Sequence, residues 1–196
     1  MNRRLLYEIT MKAYSFDWDD NILHMDTMVN MEKKEGDNWT PVKLSTSEYA
    51  ELKEDPNYRY PDNNIRDAFT DFDNDDMFLQ NVEDSIKKRN FAPSFNDFKE
   101  ALIGARSISI ITARPQSPET LKKGVRMIID NSFSDEERED MVENIEDNYD
   151  FTGQLDEIIE KYIESNYYYP VSFKEREVDV TKEKGIALDD FVKKTI

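Results

Sequence analysis

Residues 107–118 read SISIITARPQSP, a strand-like run that leads through a polar turn into a helix start. Ser107 to Ile111 are small or β-branched throughout, which is typical of a buried β-strand. The polar turn is Thr112 to Pro115, and Ser117 and Pro118 then suit the cap and the first turn of a helix. A strand, a turn and a helix in this order predict one unit of a parallel α/β sheet.

A second strand-like run lies near the amino terminus. Lys12 to Phe16 is short, and it ends abruptly in the acidic cluster Asp17-Trp18-Asp19-Asp20-Asn21. Open α/β sheets bind their ligands in the crevice beyond the carboxyl ends of their strands. The acidic cluster and Thr112, which each follow a strand, are therefore the first candidates for a functional site.

The rest of the chain also alternates strands with helices, so we predict a parallel α/β sheet without internal repeats. Glu35 to Asn38 are turn-forming residues between two β-compatible stretches, and they predict a hairpin over 27–44. Residues 45–76 are rich in Asp, Asn, Pro and Tyr and are predicted to be mostly loop with short helical turns, including one from Asn64 to Phe69. Apolar spacing and capping residues further predict helices over 77–89, 94–105 and 154–165, helices that begin at Ser117, Ser134 and Thr181, and an edge strand over 167–173.

The segment between the two predicted strands is much longer than a single crossover helix requires. We therefore divide the chain into an α/β core, residues 1–24 and 105–196, and an insert, residues 25–104, that rises over the crevice. The aromatic residues of the insert either contact the organic part of a substrate or build a small core of their own. They are Trp39, Tyr49, Tyr58, Tyr60, Phe69 and Phe72.

The composition argues against several classes of function. Lys and Arg number 26 against 43 Asp and Glu, and the net charge of −17 makes the chain a poor binder of bulk nucleic acid. The absence of Cys excludes disulfides and thiolate chemistry, and the single His24, expected to be a partly exposed loop residue, excludes a multi-histidine metal site. No apolar run is long enough for a membrane span or a signal peptide, so we expect no membrane partner and a cytoplasmic location.

Two carboxylates of the acidic cluster suggest phosphoryl chemistry. Asp17 and Asp19 are expected to face one pocket, where two carboxylates either bind a divalent cation or perturb each other's protonation. One carboxylate can attack phosphorus, and the other can carry the proton. Thr112 would add a hydroxyl at a strand end, beside backbone N–H groups that can hold a phosphoryl oxygen. The alternative is a solvated acidic loop, because chance Asp-x-Asp triplets are expected in a chain with 43 acidic residues.

A further acidic cluster, Asp71 to Asp76, imitates the first half of a Ca²⁺-binding loop. It has Asp76 where such a loop needs Gly, and Val82 where it needs a bidentate Glu. We interpret this cluster as a solvated loop. Trp18, between the two key Asp residues of the first cluster, is expected to pack away from the pocket.

The fragments YSFDWDDNIL, residues 14–23, and ISIITARP, residues 108–115, resemble the first two motifs of the haloacid dehalogenase superfamily. In that superfamily an apolar run leads into Asp-x-Asp-x-(Thr or Val), and a later apolar run leads into Thr or Ser. Asn21 stands where Thr or Val is usual. The resemblance implies a Rossmann-like parallel sheet with helices on both faces, and a cap inserted between the first two strands of the core, with the hairpin 27–44 as its flap.

The resemblance also implies a role for each residue of the two motifs. The residue that matches Asp17 is the nucleophile and a Mg²⁺ ligand. The residue that matches Asp19 is the general acid and base, and its backbone carbonyl also binds the metal. Thr112 would orient the transferred phosphoryl group, with Ala113 and Arg114 beside it in the substrate-binding turn.

The superfamily further uses a Lys at the start of a later helix to neutralise the phosphoryl charge. We predict Lys184 for this role, with Lys182 as the alternate and Arg114 as a third candidate cation. The alternative for each Lys is a solvated charge at a helix end. The alternative for Arg114 is packing against a neighbouring helix.

The fourth motif of the superfamily, a strand that ends in one or two Asp residues, has no obvious counterpart. Asp189 and Asp190 follow an apolar stretch, but residues 186–192 fit the apolar stripe of a helix better. The chain is then either truncated or takes its last metal ligand from elsewhere. Without that strand the first strand keeps an unpaired edge, which invites self-association or cover by residues 2–10.

Three functional hypotheses follow from these patterns. The first is a Mg²⁺-dependent phosphomonoester hydrolase that acts through an aspartyl-phosphate on a small phosphorylated metabolite. The second is a non-catalytic or truncated protein with the same fold that acts through protein association. The third is a phosphatase for nucleotides or polynucleotide ends.

Overall fold

The structure is a computed structural model that describes residues 12–172 and 179–195. Its strands and helices, in chain order, are β1 (Ala13–Phe16), β2 (Val29–Glu35), β3 (Asn38–Leu44), α1 (Thr46–Leu52), β4 (Tyr58–Arg59), α2 (Ile65–Ala68), α3 (Asp75–Lys88), α4 (Phe95–Ile103), β5 (Ser107–Thr112), α5 (Pro118–Ser132), α6 (Asp135–Tyr149), α7 (Leu155–Ser165), β6 (Tyr167–Pro170) and α8 (Val180–Thr195). Two short 3₁₀ turns, Pro61–Asn63 and Thr70–Phe72, flank α2.

Three strands form a parallel sheet in the order β1-β5-β6. Phe16 lies opposite Ile110 and Thr112 lies opposite Pro170, so β5 is central. Every residue of β5 after Ser107 is buried, as the β-branched run predicts. Because the strands are parallel, the acidic cluster that follows β1 and the turn that follows β5 both lie at the carboxyl end of the sheet.

Helices cover both faces of this sheet. On one face, Ile108 and Ile110 belong to the main core, which they share with residues of α3 to α7. On the other face, Ile111 packs with Val171 and with Ala187 of α8. Within the described ranges, no helix combines the length and the apolar character that crossing a membrane requires. The fold is thus mixed α/β, with a Rossmann-like parallel sheet flanked by helices, as the sequence predicts.

Trp18 is fully buried in the main core, and Gly124 of α5 makes room for it. A Cβ atom at Gly124 would lie 2.7 Å from the indole ring, which is closer than carbon atoms approach each other. The ring of Phe78, in α3, packs against the same indole with the ring centroids 5.0 Å apart. The prediction that Trp18 packs into the interior is confirmed, and this packing anchors the acidic cluster to α3 and α5.

A second, antiparallel sheet has the order β3-β2-β4 and a small core of its own. Gly36, with a φ of 64°, turns the chain between β2 and β3, so the predicted hairpin is confirmed. The core residues are Val29, Met31, Leu44, Ala68 and Phe72, and the rings of Tyr49, Tyr58, Tyr60 and Phe69 pack against them. Trp39, on β3, is not part of this small core, and its ring centroid lies 4.3 Å from the guanidinium carbon of Arg59. We call residues 25–72, which include this sheet and its core, the hairpin module.

Helices α3 and α4 belong to the main core and not to the core of the hairpin module. Phe78 of α3 and Phe98 of α4 are buried in the same cluster as Ile110 of the central strand. Apolar packing therefore divides the predicted insert, residues 25–104, after Phe72. Its first part, apart from Met25, which is buried in the main core, has a separate core, and its second part supports the parallel sheet.

The segment 45–76 is more regular than the predicted loop. Helix α1 forms because Ser45 and Glu48 make a reciprocal capping box at its start. The predicted helical turn from Asn64 is present as α2, and the Asn64 side chain caps it. Short helical turns are predicted in this segment, and α1 is a longer helix than its polar composition indicates, because the capping box stabilises it.

The sequence allows residues 186–192 to be either a strand that ends in Asp189 and Asp190 or part of a helix, and in the structure they lie in α8. Asp189 and Asp190 both lie inside this helix and are exposed, so the helical alternative is confirmed. The predicted cap, Thr181, is wrong because the helix has already begun at that residue. Asp179 accepts a hydrogen bond from the Lys182 N–H at 3.1 Å instead. A carboxylate at this position also complements the positive end of the helix dipole.

The two outer strands of the parallel sheet have different edges. Among the described residues β1 pairs with β5 alone, and Ala13 and Ser15 are exposed on it. β6 ends in Pro170, which has no N–H to donate to a further strand. The predicted cover of the β1 edge by residues 2–10 lies outside the described residues.

Candidate functional site

The acidic cluster forms a tight turn directly after β1. Asp20 takes a left-handed backbone conformation, with a φ of 55°, which Asp tolerates better than most residues. The Asp17 N–H donates to Oδ1 of Asn21 at 3.1 Å, and Nδ2 of Asn21 donates to Oγ of Ser94 at 2.8 Å. The Ser94 side chain accepts this bond and makes no capping hydrogen bond at the start of α4. Asn21 therefore ties the acidic turn together and joins it to the start of α4.

Asp17 is the more accessible of the two key carboxylates. Its side chain is 37% exposed, and its Oδ1 accepts a hydrogen bond from the Trp18 N–H at 2.7 Å. Its Oδ2 accepts a hydrogen bond from Nζ of Lys184. Because the ammonium group offsets the charge of the carboxylate, an anionic group can approach Asp17 here.

Helical spacing explains why Lys184, and not Lys182, contacts the acidic turn. Ala187 and Phe191 are buried residues of α8. Lys184 precedes them by three and seven residues, which places it on the same face of the helix. Lys182 lies off that face and is exposed. Of the three candidate cations, Lys184 is thus the one that contacts Asp17.

Asp19 is held by a buried arginine. Nε and Nη2 of Arg114 donate to Oδ2 and Oδ1 of Asp19 at 2.8 and 2.7 Å, so the ion pair is bidentate. The Arg114 side chain is 1% exposed, and that of Asp19 is 16% exposed. The guanidinium carbon also lies 4.9 Å from the ring centroid of Phe72 and 5.1 Å from that of Phe78. Separating the pair would leave a buried charge without a partner, which is costly.

Thr112 ends β5 and is fully buried, whereas Ala113 is exposed in the turn that follows. Oγ1 of Thr112 accepts a hydrogen bond from the Arg114 N–H at 3.3 Å. Its carbonyl oxygen accepts a second hydrogen bond from the N–H of Val171 at 2.9 Å. The Thr112 hydroxyl therefore shapes the turn that carries Arg114 toward Asp19.

The pKa values of two neighbouring carboxyl groups of the turn, Asp19 and Asp20, are shifted in opposite directions. Burial raises the pKa of Asp19, and the adjacent carboxylates add to this effect, while Arg114 opposes it. Burial also acts on Asp20, but hydrogen-bond donors, chiefly Thr46, outweigh it and hold the pKa of that carboxyl below its usual value. Of these two carboxyl groups, Asp19 is therefore the one that holds a proton more readily.

Asp20 and Arg114 join the acidic turn to the hairpin module. Oγ1 of Thr46 donates to Oδ2 of Asp20 at 2.6 Å, and Nδ1 of His24 lies 2.7 Å from Oδ1 of the same residue. His24 is partly exposed, as predicted. Thr27 accepts a hydrogen bond from Nη2 of Arg114 at 3.0 Å. Sequence reasoning missed the roles of Asp20, Thr27 and Thr46; only Asp20 had a signal, its place inside the acidic cluster.

The second acidic cluster stabilises local structure. Asp71 accepts a hydrogen bond from Nζ of Lys43 at 2.8 Å. Asp75 accepts one from Oγ1 of Thr120 at 2.7 Å, and with Asp76 it forms the first turn of α3. The predicted solvated loop is thus partly helical. Asp71 binds a side chain of β3, and Asp75 joins the start of α3 to α5.

The acidic turn does not by itself fit a magnesium ion. Mg²⁺ demands octahedral coordination by oxygen, usually including carboxylates. In the described part of the chain, no three His, Asp or Glu side chains are grouped so that they could hold a metal. Both carboxylate oxygens of Asp19 bind Arg114, and Asp17 is paired with Lys184. Binding of Mg²⁺ stays a prediction, and no chemical step below depends on it.

The predicted site residues lie close together at the carboxyl end of the parallel sheet. The ion pairs Asp17–Lys184 and Asp19–Arg114 start from the same turn, and Thr112 is bonded to the backbone of Arg114. One accessible and one largely buried carboxylate thus lie two residues apart in the same turn. Comparisons of the chain with protein-family models, with curated proteins and with solved structures found no match.

Proposed function

We propose that this chain is a phosphomonoester hydrolase that acts through an aspartyl-phosphate on Asp17. The observation that carries the proposal is an accessible carboxylate paired with the cation Lys184, beside the buried carboxylate of Asp19. A carboxylate that attacks a phosphate ester needs a cation to offset the repulsion between the two anions, and its reaction needs a proton donor. The resemblance of residues 14–23 and 108–115 to the haloacid dehalogenase superfamily supports the same assignment.

In the first step an oxygen of Asp17 attacks the phosphorus atom, and the ester P–O bond breaks. Asp19, in its acid form, gives its proton to the departing oxygen, which leaves as an alcohol. Lys184 offsets the charge of the phosphoryl oxygens. The backbone N–H of Ala113, in the turn after Thr112, holds one of these oxygens.

In the second step a water molecule attacks the phosphorus of the aspartyl-phosphate. The Asp19 carboxylate accepts a proton from this water, and the P–O bond to Asp17 breaks. Inorganic phosphate leaves, Asp17 returns as a carboxylate and Asp19 returns to its acid form. Burial, which raises the pKa of Asp19, favours a group that holds and releases a proton in this way.

The substrate class in this proposal is a small phosphorylated metabolite. The net charge of −17 disfavours polynucleotides. The hairpin module contacts Arg114 through Thr27 and Phe72, and it corresponds in sequence position to the substrate-selecting cap of the superfamily. A cytoplasmic location and a dependence on Mg²⁺ belong to the same proposal. A panel that adds mononucleotides and 5′- or 3′-phosphorylated oligonucleotides tests the wider alternative of nucleotide or polynucleotide-end hydrolysis.

Release of phosphate from p-nitrophenyl phosphate tests the proposal. Asp17→Asn should lower kcat by about 10³-fold or more, because removal of a covalent nucleophile has effects of at least this size. Asp71→Asn is the matched control, since it removes a carboxylate that binds Lys43 outside the site and should leave kcat unchanged. Activity that survives Asp17→Asn would remove Asp17 as the nucleophile. Chelation followed by return of Mg²⁺ tests the metal separately.

Protein association without catalysis is a second candidate function, and the edge of β1, which no second strand covers among residues 12–172 and 179–195, favours it. An edge strand presents unpaired N–H and C=O groups on which a further strand can pair. A wild-type chain that hydrolyses no phosphomonoester, and that self-associates with rising concentration in light-scattering measurements, would support this candidate against the first.

A further inference from the structure

Arg114 contacts three separate parts of the molecule. Its guanidinium donates two hydrogen bonds to Asp19 of the acidic turn and one to Thr27 of the hairpin module. The rings of Phe72, from the hairpin module, and Phe78, from α3, both lie close to it. The side chain that binds Asp19 is therefore itself held from two sides.

The bidentate contact fixes the orientation of the Asp19 side chain. Two parallel hydrogen bonds, at 2.8 and 2.7 Å, define the plane of the carboxylate. A lysine, which carries a point charge on a flexible stem, does not impose that plane. A proton donor works only when it is aimed at the departing oxygen. Arg114 thus supplies the fixed orientation that proton transfer at Asp19 requires, while its positive charge favours the ionised form of that carboxyl.

The same contact keeps Arg114 away from a substrate phosphate. Its side chain is 1% exposed, and Nε and Nη2 are already bonded to Asp19 and Thr27. Moving the guanidinium toward a substrate would leave Asp19 and Arg114 unpaired in a buried position. The geometry therefore favours an action of Arg114 on Asp19 over direct binding of substrate.

The hairpin module holds Arg114 through defined contacts. Oγ1 of Thr27 accepts hydrogen bonds both from Arg114 and, at 3.0 Å, from Nδ2 of Asn81 in α3. The carbonyl oxygen of Phe72 accepts a hydrogen bond from Nε2 of Gln116, two residues after Arg114. Changes at Thr27 or Phe72 would therefore loosen Arg114 without altering Asp19.

We propose that Arg114 is a positioning residue that orients Asp19 for proton transfer, and that Thr27 and Phe72 of the hairpin module hold Arg114 in place. This inference rests on the proposed function, because the orientation of Asp19 matters only if an ester oxygen has to be protonated. Docking of the hairpin module then becomes part of the catalytic arrangement.

Esters with different leaving groups test this proposal. p-Nitrophenolate departs with little help from an acid, whereas the alkoxide of glycerol phosphate must receive a proton as it departs. Poor orientation of Asp19 should therefore lower kcat more for glycerol phosphate than for p-nitrophenyl phosphate. Arg114→Lys keeps the charge and loses the bidentate contact, and we expect it to change this ratio about 10- to 100-fold, with each KM changed by less than about threefold.

Thr27→Val removes one contact to Arg114 and should change the same ratio in the same direction by about threefold. Arg126→Lys is the matched control, since Arg126 lies on α5 and pairs with Asp130 and Asp156 outside the site. It should leave the ratio unchanged. Circular dichroism and thermal melting establish that each variant is folded. If Arg114→Lys does not fold, Thr27→Val and Phe72→Leu carry the same test.

The outcomes separate this inference from the proposed function. A wild-type chain that hydrolyses neither ester overturns the proposed function, and the inference with it. If wild type hydrolyses both esters and the variants lower both kcat values by one common factor, Arg114 has a structural role and the inference alone fails. It also fails if both KM values rise together, because Arg114 would then bind the phosphate itself.

Discussion

The two ion pairs of the acidic turn involve carboxylates only two residues apart, yet their surroundings differ. The side chains of Asp17 and Lys184 are 37% and 29% exposed, whereas those of Asp19 and Arg114 are 16% and 1% exposed. Water and salt screen the first pair, so a ligand can replace one partner at small cost. The second pair is largely desolvated, so its partners stay together. One turn thus combines a charge that can exchange partners with a charge whose partner is fixed.

The largest expected difference between the pairs is in stability. Arg114→Met leaves Asp19 without its cation in a mostly buried position and should lower the free energy of unfolding by about 3 kcal/mol. Lys184→Met breaks the exposed pair and should lower it by less than about 1 kcal/mol. Urea unfolding followed by circular dichroism at neutral pH measures both. Equal losses would show that burial does not distinguish the two pairs.

A smaller effect is expected from Gly124→Ala, which disturbs the support that both pairs share. The new methyl group would lie 2.7 Å from the indole of Trp18, the residue between Asp17 and Asp19. The indole has to move, and overpacking of this kind costs about 1–3 kcal/mol. We also expect kcat to fall, because both carboxylates shift with Trp18.

Gly185→Ala is the matched control for this substitution. A Cβ atom there meets no other atom within 4 Å, and alanine favours a helix, so stability should stay the same or rise. If Gly124→Ala lowers stability while kcat stays at the wild-type value, the position of Trp18 does not govern the site.

The smallest expected effect concerns binding at the exposed pair. Lys184→Met should raise KM for p-nitrophenyl phosphate about tenfold, which corresponds to the loss of one hydrogen bond to a charged group. Lys182→Met, on the exposed side of the same helix, should change KM by less than about twofold. Steady-state kinetics at low salt measures both values. A rise in KM for Lys182→Met alone would transfer the cation role to that residue.

The two residues of the exposed pair were both candidates from the sequence, but they are 167 positions apart and only the resemblance to the superfamily linked them. Asp17 follows a strand, and Lys184 lies near the predicted start of a helix, where the resemblance to the superfamily asks for a Lys. The spacing of Lys184 with the buried Ala187 and Phe191 became visible only in the structure, because Ile186, Leu188 and Val192 of the predicted apolar stripe are exposed. The partnership of Asp19 with Arg114 could not be predicted in this way. These residues are 95 positions apart, and their contact depends on how β1 and β5 align and how two turns fold. The sequence around either residue alone does not predict how the two turns face each other.

The hairpin module shows the same limit on a larger scale. The turn residues around Gly36 predicted the hairpin correctly. The apolar stripes of residues 77–89 and 94–105 predicted two helices, which the structure contains as α3 and α4. A stripe shows that one face of a helix is buried, but it does not show against what. For that reason the packing of α3 and α4 against the parallel sheet, instead of the hairpin module, emerged only from the structure.

In the described part of the chain β1 has one unpaired edge and β6 ends in Pro170, and these two features bear on how far the parallel sheet can be extended between copies of the chain. Two copies that joined through β1 would form one continuous sheet whose outermost strands are both β6. Each of those strands ends in a proline, which withholds a backbone donor from any newcomer. Addition of a third copy would then be disfavoured at both ends, so pairing through β1 would give a closed dimer and not a growing fibre.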